Sequence, residues 1–387
     1  MYSHDARVVV DSDALIARGW GQYCGEFGVL FVPKDPASVG SEAIRTSLAV
    51  VRIGDHGSQR LTVAPVLKGF AILLNPVPSR KALLTLLSGI RDSLELSGFE
   101  GVLRVGEDQL TKWRLTDIVP SFTVVVCVSS AVLPMSEPPE YALRPPESGL
   151  WQTESSAFIS LADQAAALAR NEGDGRCLVA SGMLSAACRP DQVAAFLRAA
   201  CSSIGEALLE IPTSDGRWIR CVFGLDGYFL VHETIDGQPW KTALAVSVGR
   251  LHQLAPLVDY GFIRRSDFLA GSLSEAVDYG RSRPQHLVRT YADSHHVLKE
   301  AVPDIFGVQI FGPKRPTLLP PGDWDVDDLA EGRKLVSSKR MEDWYGDDLS
   351  VESVQQHARN ANTAVLYTFE RWLERNLRAH AHHKTMM

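Results

Sequence analysis

The stretch Gly69-Phe-Ala-Ile-Leu-Leu-Asn75, which ends at Pro76, is the most informative indication of the fold class of this chain. It is an apolar run of the length of one strand, and the proline ends it. A helix pattern follows from Ser79 to Leu96, with leucine and isoleucine on one face at three-and-four spacing and a serine able to cap the first turn. The strand-like stretches Gly101–Val105 and Phe122–Val128 come next.

The same order of patterns occurs a second time further along the chain. Cys177–Ala187 is strand-like, a helix follows from Pro190 to about Leu208, and the strand-like stretches Trp218–Phe223 and Tyr228–His232 come after it. Helices that are apolar on one face only are typical of helices packed on a sheet. The sequence therefore predicts an α+β protein with two mixed lobes, each with an antiparallel-type sheet and packed helices.

Turn signals support antiparallel pairing. Ser214-Asp215-Gly216 and Leu225-Asp226-Gly227 each lie between strand-like runs, and a glycine after Asp is typical of hairpin turns. Near the C-terminus, the acidic stretch from Asp323 to Asp328 is followed by a turn at Glu331-Gly332, which predicts a third hairpin. A long helix is predicted from Ser350 to Arg378, either packed on its own chain or forming the seam of a homodimer.

Two proline clusters predict the domain boundaries, because proline interrupts helices and central strands. The first lies between Leu133 and Pro146, and the second between Gly312 and Gly322. These clusters predict an N-terminal domain (1–133), a proline-rich linker (134–147), a second domain (148–312) and a C-terminal subdomain with the hairpin and the terminal helix (313–387).

Composition excludes several classes of protein. The 387 residues carry a net charge of −7, and 45% of them are hydrophobic, which is typical of a soluble chain and argues against nucleic-acid or anionic-membrane binding. The six cysteines form no C-x-x-C pair, and the N-terminus from Met1 to Arg7 does not resemble a signal peptide. We therefore expect a bacterial-type cytoplasmic protein with free thiols.

Common catalytic motifs are missing from the sequence. It contains neither a Walker-type phosphate loop nor a G-x-S-x-G nucleophile motif. His232-Glu233-Thr-Ile-Asp236 lacks the second histidine of the zinc motif H-E-x-x-H and is interpreted as a polar strand end. His296 and Glu300 have helical spacing for a metal pair, but no third ligand can be named. We expect no cofactor.

The candidate partner-binding residues are six acidic and aromatic side chains near the C-terminus: Asp325, Asp327, Asp343, Trp344, Tyr345 and Asp347. Exposed tryptophan and tyrosine are frequent anchors of protein interfaces, and the surrounding carboxylates favour a basic partner. The alternative is that both rings are interior and pack under the terminal helix. In the predicted hairpin, Trp324 and Val326 share one face, while Asp325 and Asp327 point to water.

These observations leave two classes of function. The first is a non-enzymatic interaction protein, such as an adaptor, an immunity-type protein or a specialised chaperone, which binds a protein partner. The alternative is a metal-assisted hydrolase that uses Asp325, Asp327 or His296 with distant partners, since carboxylates that converge on one point can bind Mg²⁺ or Ca²⁺.

Overall fold

A computed structural model describes most of the chain, namely residues 7–11, 25–36, 39–51, 61–77, 80–105, 120–132, 151–182, 184–224, 227–235, 237–266, 305–313, 322–346 and 360. Two compact units are present, and each is assembled from two chain segments. The first unit comprises residues 1–115 and 158–218, and the second comprises residues 116–157 and 219–387. None of the described helices is long and apolar enough to cross a membrane.

The N-terminal part of the first unit is a five-stranded sheet with two helices. Its elements are β1 (Val8–Asp11), β2 (Gly25–Pro33), α1 (Ser41–Leu48), β3 (Thr62–Val66), β4 (Gly69–Val77), α2 (Arg80–Leu96) and β5 (Gly101–Val105). The strand order is β1-β5-β2-β4-β3. Because β4 and β5 both pair antiparallel with β2, helix α2 joins two strands that lie on either side of a third, which is a split β-α-β arrangement.

One face of this sheet carries a core formed with both helices. The buried side chains on α2 recur every three or four residues, so they form a single stripe that meets the strands. The core includes Val29, Phe31, Phe70, Ile72, Leu103, Ile44, Leu48, Leu83, Leu87 and Ile90. Burial of this stripe is what the periodicity between Ser79 and Leu96 predicts.

The C-terminal part of the first unit consists of two helices and three strands. Its elements are α3 (Ser156–Asn171), β7 (Cys177–Ser181), β8 (Leu184–Cys188), α4 (Val193–Ser203) and β9 (Ala207–Pro212). Strands β8 and β9 both pair antiparallel with β7, so β8, α4 and β9 form a second split β-α-β arrangement.

This segment contacts the five-stranded sheet at several points. The backbone N–H of Leu67 donates to the carbonyl of Ala187 at 2.9 Å, and the Thr62 hydroxyl donates to the carbonyl of Ala199 at 3.2 Å. A Cβ at Gly28 would collide with the side chain of Leu184. Ala64 on β3 and Ala71 on β4 do not belong to the core that the sheet forms with α1 and α2, yet their side chains are fully buried.

The second unit contains seven hydrogen-bonded strands of one sheet. Its elements are β6 (Ser121–Cys127), β10 (Trp218–Phe223), β11 (Tyr228–Thr234), α5 (Trp240–Leu254), β12 (Tyr260–Ser266), β13 (Val308–Phe311), β14 (Trp324–Asp328), β15 (Lys334–Ser338) and α6 (Met341–Tyr345). Their order is β14-β15-β13-β12-β6-β11-β10. Strands β11 and β12 both pair antiparallel with β6, so α5 completes a third split β-α-β arrangement.

The structure combines helices with sheets, which confirms the predicted α+β class in that general sense. Several details differ from the sequence predictions. Strand β6 precedes the first proline cluster and pairs with two strands that follow it, while the predicted domain boundaries stay a prediction. The run from Cys177 to Ala187 is a hairpin of two strands instead of one strand, since Gly182 takes a positive φ of 54° at the turn. The predicted linker 134–147 and the terminal helix 350–378 lie outside the described residues, except for residue 360.

Candidate functional site

The C-terminal hairpin contains most of the candidate residues. Strand β14 pairs antiparallel with β15, with Asp325 opposite Ser337 and Asp327 opposite Leu335. The connection includes a short 3₁₀ turn from Ala330 to Gly332. The hairpin lies where the alternation of acidic and apolar residues predicts one.

The outer edge of β14 is open among the described residues, because β14 is the last strand in the order. Leu329 N–H donates to the carbonyl of Arg333, and Lys339 N–H donates to the carbonyl of Asp323. Hydrogen-bonded and non-hydrogen-bonded pairs alternate along an antiparallel ladder. The backbone groups of Asp325 and Asp327 therefore face β15, while those of Trp324, Val326 and Asp328 face away from it.

Strand β14 presents acidic side chains beside this edge. The side chains of Asp325, Asp327 and Asp328 are exposed, and Val326 is 49% exposed although it shares a face with buried Trp324. The ammonium groups of Lys339 and Lys334 lie 3.8 Å from carboxylate oxygens of Asp325 and Asp328. Such exposed pairs are strongly screened by water, so the edge keeps much of its acidic character.

The rings of Trp344 and Tyr345 are interior, being only 6% and 2% exposed. The Trp344 ring lies 6.0 Å from the Trp324 ring, and a Cβ at Gly307 would lie 2.6 Å from its Cγ. The Tyr345 ring lies 5.6 Å from that of Phe122. Both rings are thus buried against strands of the second unit, and their packing under the terminal helix stays a prediction, because that helix lies outside the described residues.

The Tyr345 hydroxyl joins two neighbouring strands. It donates to the carbonyl of Ile263 on β12 and accepts from the N–H of Val308 on β13, both at 2.9 Å. Ile263 and Val308 are also register partners. Burial raises the pKa of Tyr345 far above its usual value, so this hydroxyl stays protonated and acts as a structural hydrogen-bonding group.

The backbone beyond Tyr345 is fixed by an arginine of the sheet. The guanidinium of Arg265 donates to the carbonyls of Tyr345 and Gly346, both at 2.6 Å. Asp343 is half-buried and pairs with Arg340 at 2.6 Å, while Asp347 lies outside the described residues. The structure thus brings Asp325 and Asp327 together at an accessible edge, with Trp344 and Tyr345 supporting the sheet beneath. A role for any of these residues in partner binding stays a prediction.

The second polar cluster found in the sequence is buried inside the sheet. His232 is fully buried, and its Nδ1 lies 2.7 Å from the hydroxyl of Thr123. Burial, with a smaller contribution from the charge of Arg220, lowers the pKa of His232 to about 3. Glu233 accepts from the guanidinium of buried Arg250 at 2.7 Å. Burial at the end of β11 matches the interpretation of His232-Glu233 as a polar strand end.

Sequence reasoning missed two features of the second unit. One is the pairing of Glu233 with Arg250, which are 17 residues apart and belong to different elements, so no local pattern could reveal it. The other is the open edge of β14. The alternating carboxylates were a usable signal for that edge, because charged residues are common on edge strands.

The metal-assisted alternative gains no geometric support in the part of the chain that the structure describes. No group of three or more histidine, cysteine or acidic side chains suited to a metal ion occurs there. His296 and Glu300 lie outside it, so their role as ligands stays a prediction.

Comparison with known proteins identifies no relative. No protein-family model, no curated protein and no solved structure matches this chain.

Proposed function

We propose that this protein is a non-enzymatic, cytoplasmic interaction module that binds a protein partner through the open edge of β14. The partner contributes an extended, basic segment that pairs with β14 as an additional strand. An adaptor, an immunity-type protein and a specialised chaperone would each fit this mode of binding. The observation that carries the proposal is the open edge with three exposed carboxylates on the strand.

The backbone of β14 suits strand addition. The N–H and C=O groups of Trp324, Val326 and Asp328 face away from β15, and an incoming strand can pair with them without breaking the hairpin. Recognition of this kind draws its affinity from main-chain hydrogen bonds and its specificity from alternate side chains. The buried Trp324 and Trp344 rings support the strand from one face.

Charge selects the class of partner. Two copies of β14 placed side by side would bring acidic side chains against each other, and like charges on adjacent strands are unfavourable. A segment with lysine or arginine at alternate positions would instead place positive charges beside Asp325 and Asp327. The same carboxylates would discourage unwanted pairing of the exposed edge.

The decisive experiment is capture of partners from the native cell by the tagged full-length chain and by its Val326→Pro variant. Proline removes an N–H that faces away from β15, and edge strands tolerate proline at such positions. Val326→Thr is the matched control, because it keeps this N–H. We expect the wild type and the threonine variant to retain a stoichiometric protein partner that the proline variant loses, with all three showing the same far-ultraviolet circular dichroism spectrum.

A defined probe tests the charge requirement. The probe is a fluorescent eight-residue peptide with lysine at alternate positions, compared with the same peptide N-methylated on alternate amides. We expect Asp325→Asn combined with Asp327→Asn to weaken binding about tenfold at low salt, and added salt to weaken binding to the wild type. Equal binding of the methylated peptide, or a partner retained by Val326→Pro, would exclude strand addition at this edge.

A further inference from the structure

Two cysteines of the first unit lie side by side at the open end of a hairpin. Cys177 is the first residue of β7, Cys188 is the last residue of β8, and the two are direct register partners. Their Sγ atoms are 3.7 Å apart, and the Cys177 thiol also lies 3.5 Å from the carbonyl of Cys188. The two side chains are only 3% and 0% exposed.

The Cα separation expected at this pair permits a covalent link. The Ala187 carbonyl accepts from Leu67 on the side away from β7, so the neighbouring pair of Cys177 and Cys188 has the hydrogen-bonded geometry. Directly opposed residues of this type have Cα atoms about 5.5 Å apart. That separation lies within the range of about 4.4–6.8 Å found for disulfides and close to its most frequent value.

We propose that Cys177 and Cys188 form a reversible intramolecular disulfide that closes the open end of the β7–β8 hairpin. The oxidant is a low-molecular-weight disulfide of the glutathione class. One protein thiolate attacks the small disulfide, forms a mixed disulfide and releases one small thiol. The second protein thiolate then attacks the mixed disulfide at the protein sulfur and releases the other small thiol. The two protons that the protein thiols lose are taken up by the two small thiolates that leave.

The native packing protects the pair until the hairpin opens. The neighbouring Cys177 thiol, together with desolvation, raises the pKa of Cys188 far above its usual value. Because only the thiolate is the nucleophile, the Cys188 thiol is inert while it is buried, and Cys177 is only 3% exposed and thus inaccessible to the oxidant. Oxidation therefore proceeds through brief opening of this end of the hairpin, and its rate follows that opening.

The disulfide stabilises the β7–β8 hairpin, which contacts the five-stranded sheet of the first unit. Strand β8 is held there by the hydrogen bond between Leu67 and Ala187 and by the contact of Leu184 with Gly28. A disulfide at residues 177 and 188 closes a short loop of the unfolded chain and so lowers its entropy. We expect the oxidised protein to melt about 5–10 °C higher than the reduced protein.

The test is oxidation of the full-length chain with oxidised glutathione, followed by intact mass and non-reducing peptide mapping. We expect the wild type to lose two hydrogen atoms, with a linkage between the peptides that contain Cys177 and Cys188. Cys177→Ser and Cys188→Ser should each abolish this linkage. Cys201→Ser is the matched control, because Cys201 is a buried cysteine on α4 and its loss should leave the linkage intact.

Further outcomes decide the proposal even if a serine variant folds poorly. The wild type should give the linkage faster in low concentrations of urea, which promote opening, and dithiothreitol should restore the original melting temperature. Linkages to other cysteines, absence of any linkage after oxidation in urea and refolding, or a lower melting temperature on oxidation would each overturn the proposal. Thiols that react only after treatment with a chelator would also overturn it, since they would indicate a bound metal ion.

Discussion

Replacing Tyr345 with phenylalanine removes one buried hydroxyl and leaves the rest of the ring in place. The ring would keep its contact with Phe122, while the N–H of Val308 and the carbonyl of Ile263 would lose their bonds to the hydroxyl. Each bond is worth about 1 kcal/mol net, and a buried group left unsatisfied costs about 1–3 kcal/mol. We therefore expect Tyr345→Phe to lower the free energy of unfolding by about 2–4 kcal/mol.

Tyr260→Phe is the matched control within the same sheet. The Tyr260 hydroxyl is also buried, and it donates to the side-chain oxygen of Gln309 at 3.0 Å. Because this bond does not join the backbones of two strands, we expect its removal to cost about 1 kcal/mol. Urea unfolding followed by circular dichroism and tryptophan fluorescence measures both variants. A loss for Tyr345→Phe no larger than that for Tyr260→Phe would refute the structural role assigned to the Tyr345 hydroxyl.

Three further predictions follow from other buried groups. Trp344→Ala should destabilise the chain by about 3–5 kcal/mol in urea, because it empties a space between strands and α6; a normal melt combined with loss of the partner would instead make the ring an interface residue. Glu233→Gln should cost about 3–5 kcal/mol by urea unfolding, since it removes the carboxylate charge that faces the buried Arg250 guanidinium. Glu100→Gln is the control: it removes an exposed pair in which the Lys34 ammonium lies 3.0 Å from the Glu100 carboxylate, and it should leave the urea midpoint nearly unchanged. For His232, whose pKa is about 3 when folded, only the unfolded chain takes up a proton as the pH falls below about 6.5, so stability is full above that pH and declines towards pH 3. Between pH 7.5 and 5, the free energy of unfolding should decline by about 2 kcal/mol. Urea unfolding at several pH values measures this decline, and a His232→Gln variant with the same decline as the wild type would contradict the assignment.

Local features of the fold were accessible from the sequence. The spacing of apolar residues between Ser79 and Leu96 matches α2 to within one residue at its start, because a helix that packs on a sheet must repeat its apolar face every three to four residues. The turn at Ser214-Asp215-Gly216 is also local. Gly216 takes a φ of 85°, and Thr213 N–H donates to the carbonyl of Arg217, as a glycine in the left-handed region allows.

Strand partners could not be read in the same way. The sequence indicated two strand–helix–strand blocks, whereas the structure shows three split arrangements, each with a central strand between the two that the helix joins. The central strand β6 lies about a hundred residues before β11 along the chain. A local sequence pattern cannot distinguish between apolar strands of similar composition as pairing partners. The pairing depends on the packing of the complete sheet.

In the candidate site, too, some features follow from the local sequence pattern and others depend on distant residues. The alternation around Asp325 and Asp327 is sufficient to predict carboxylates that point to water on a strand, because successive side chains of a strand face opposite sides. The sequence could not determine that β14 is the last strand of its sheet, or that the rings of Trp344 and Tyr345 are buried. Those properties depend on which distant strands supply hydrogen-bonding partners and apolar surface, so they arise only in the assembled sheet.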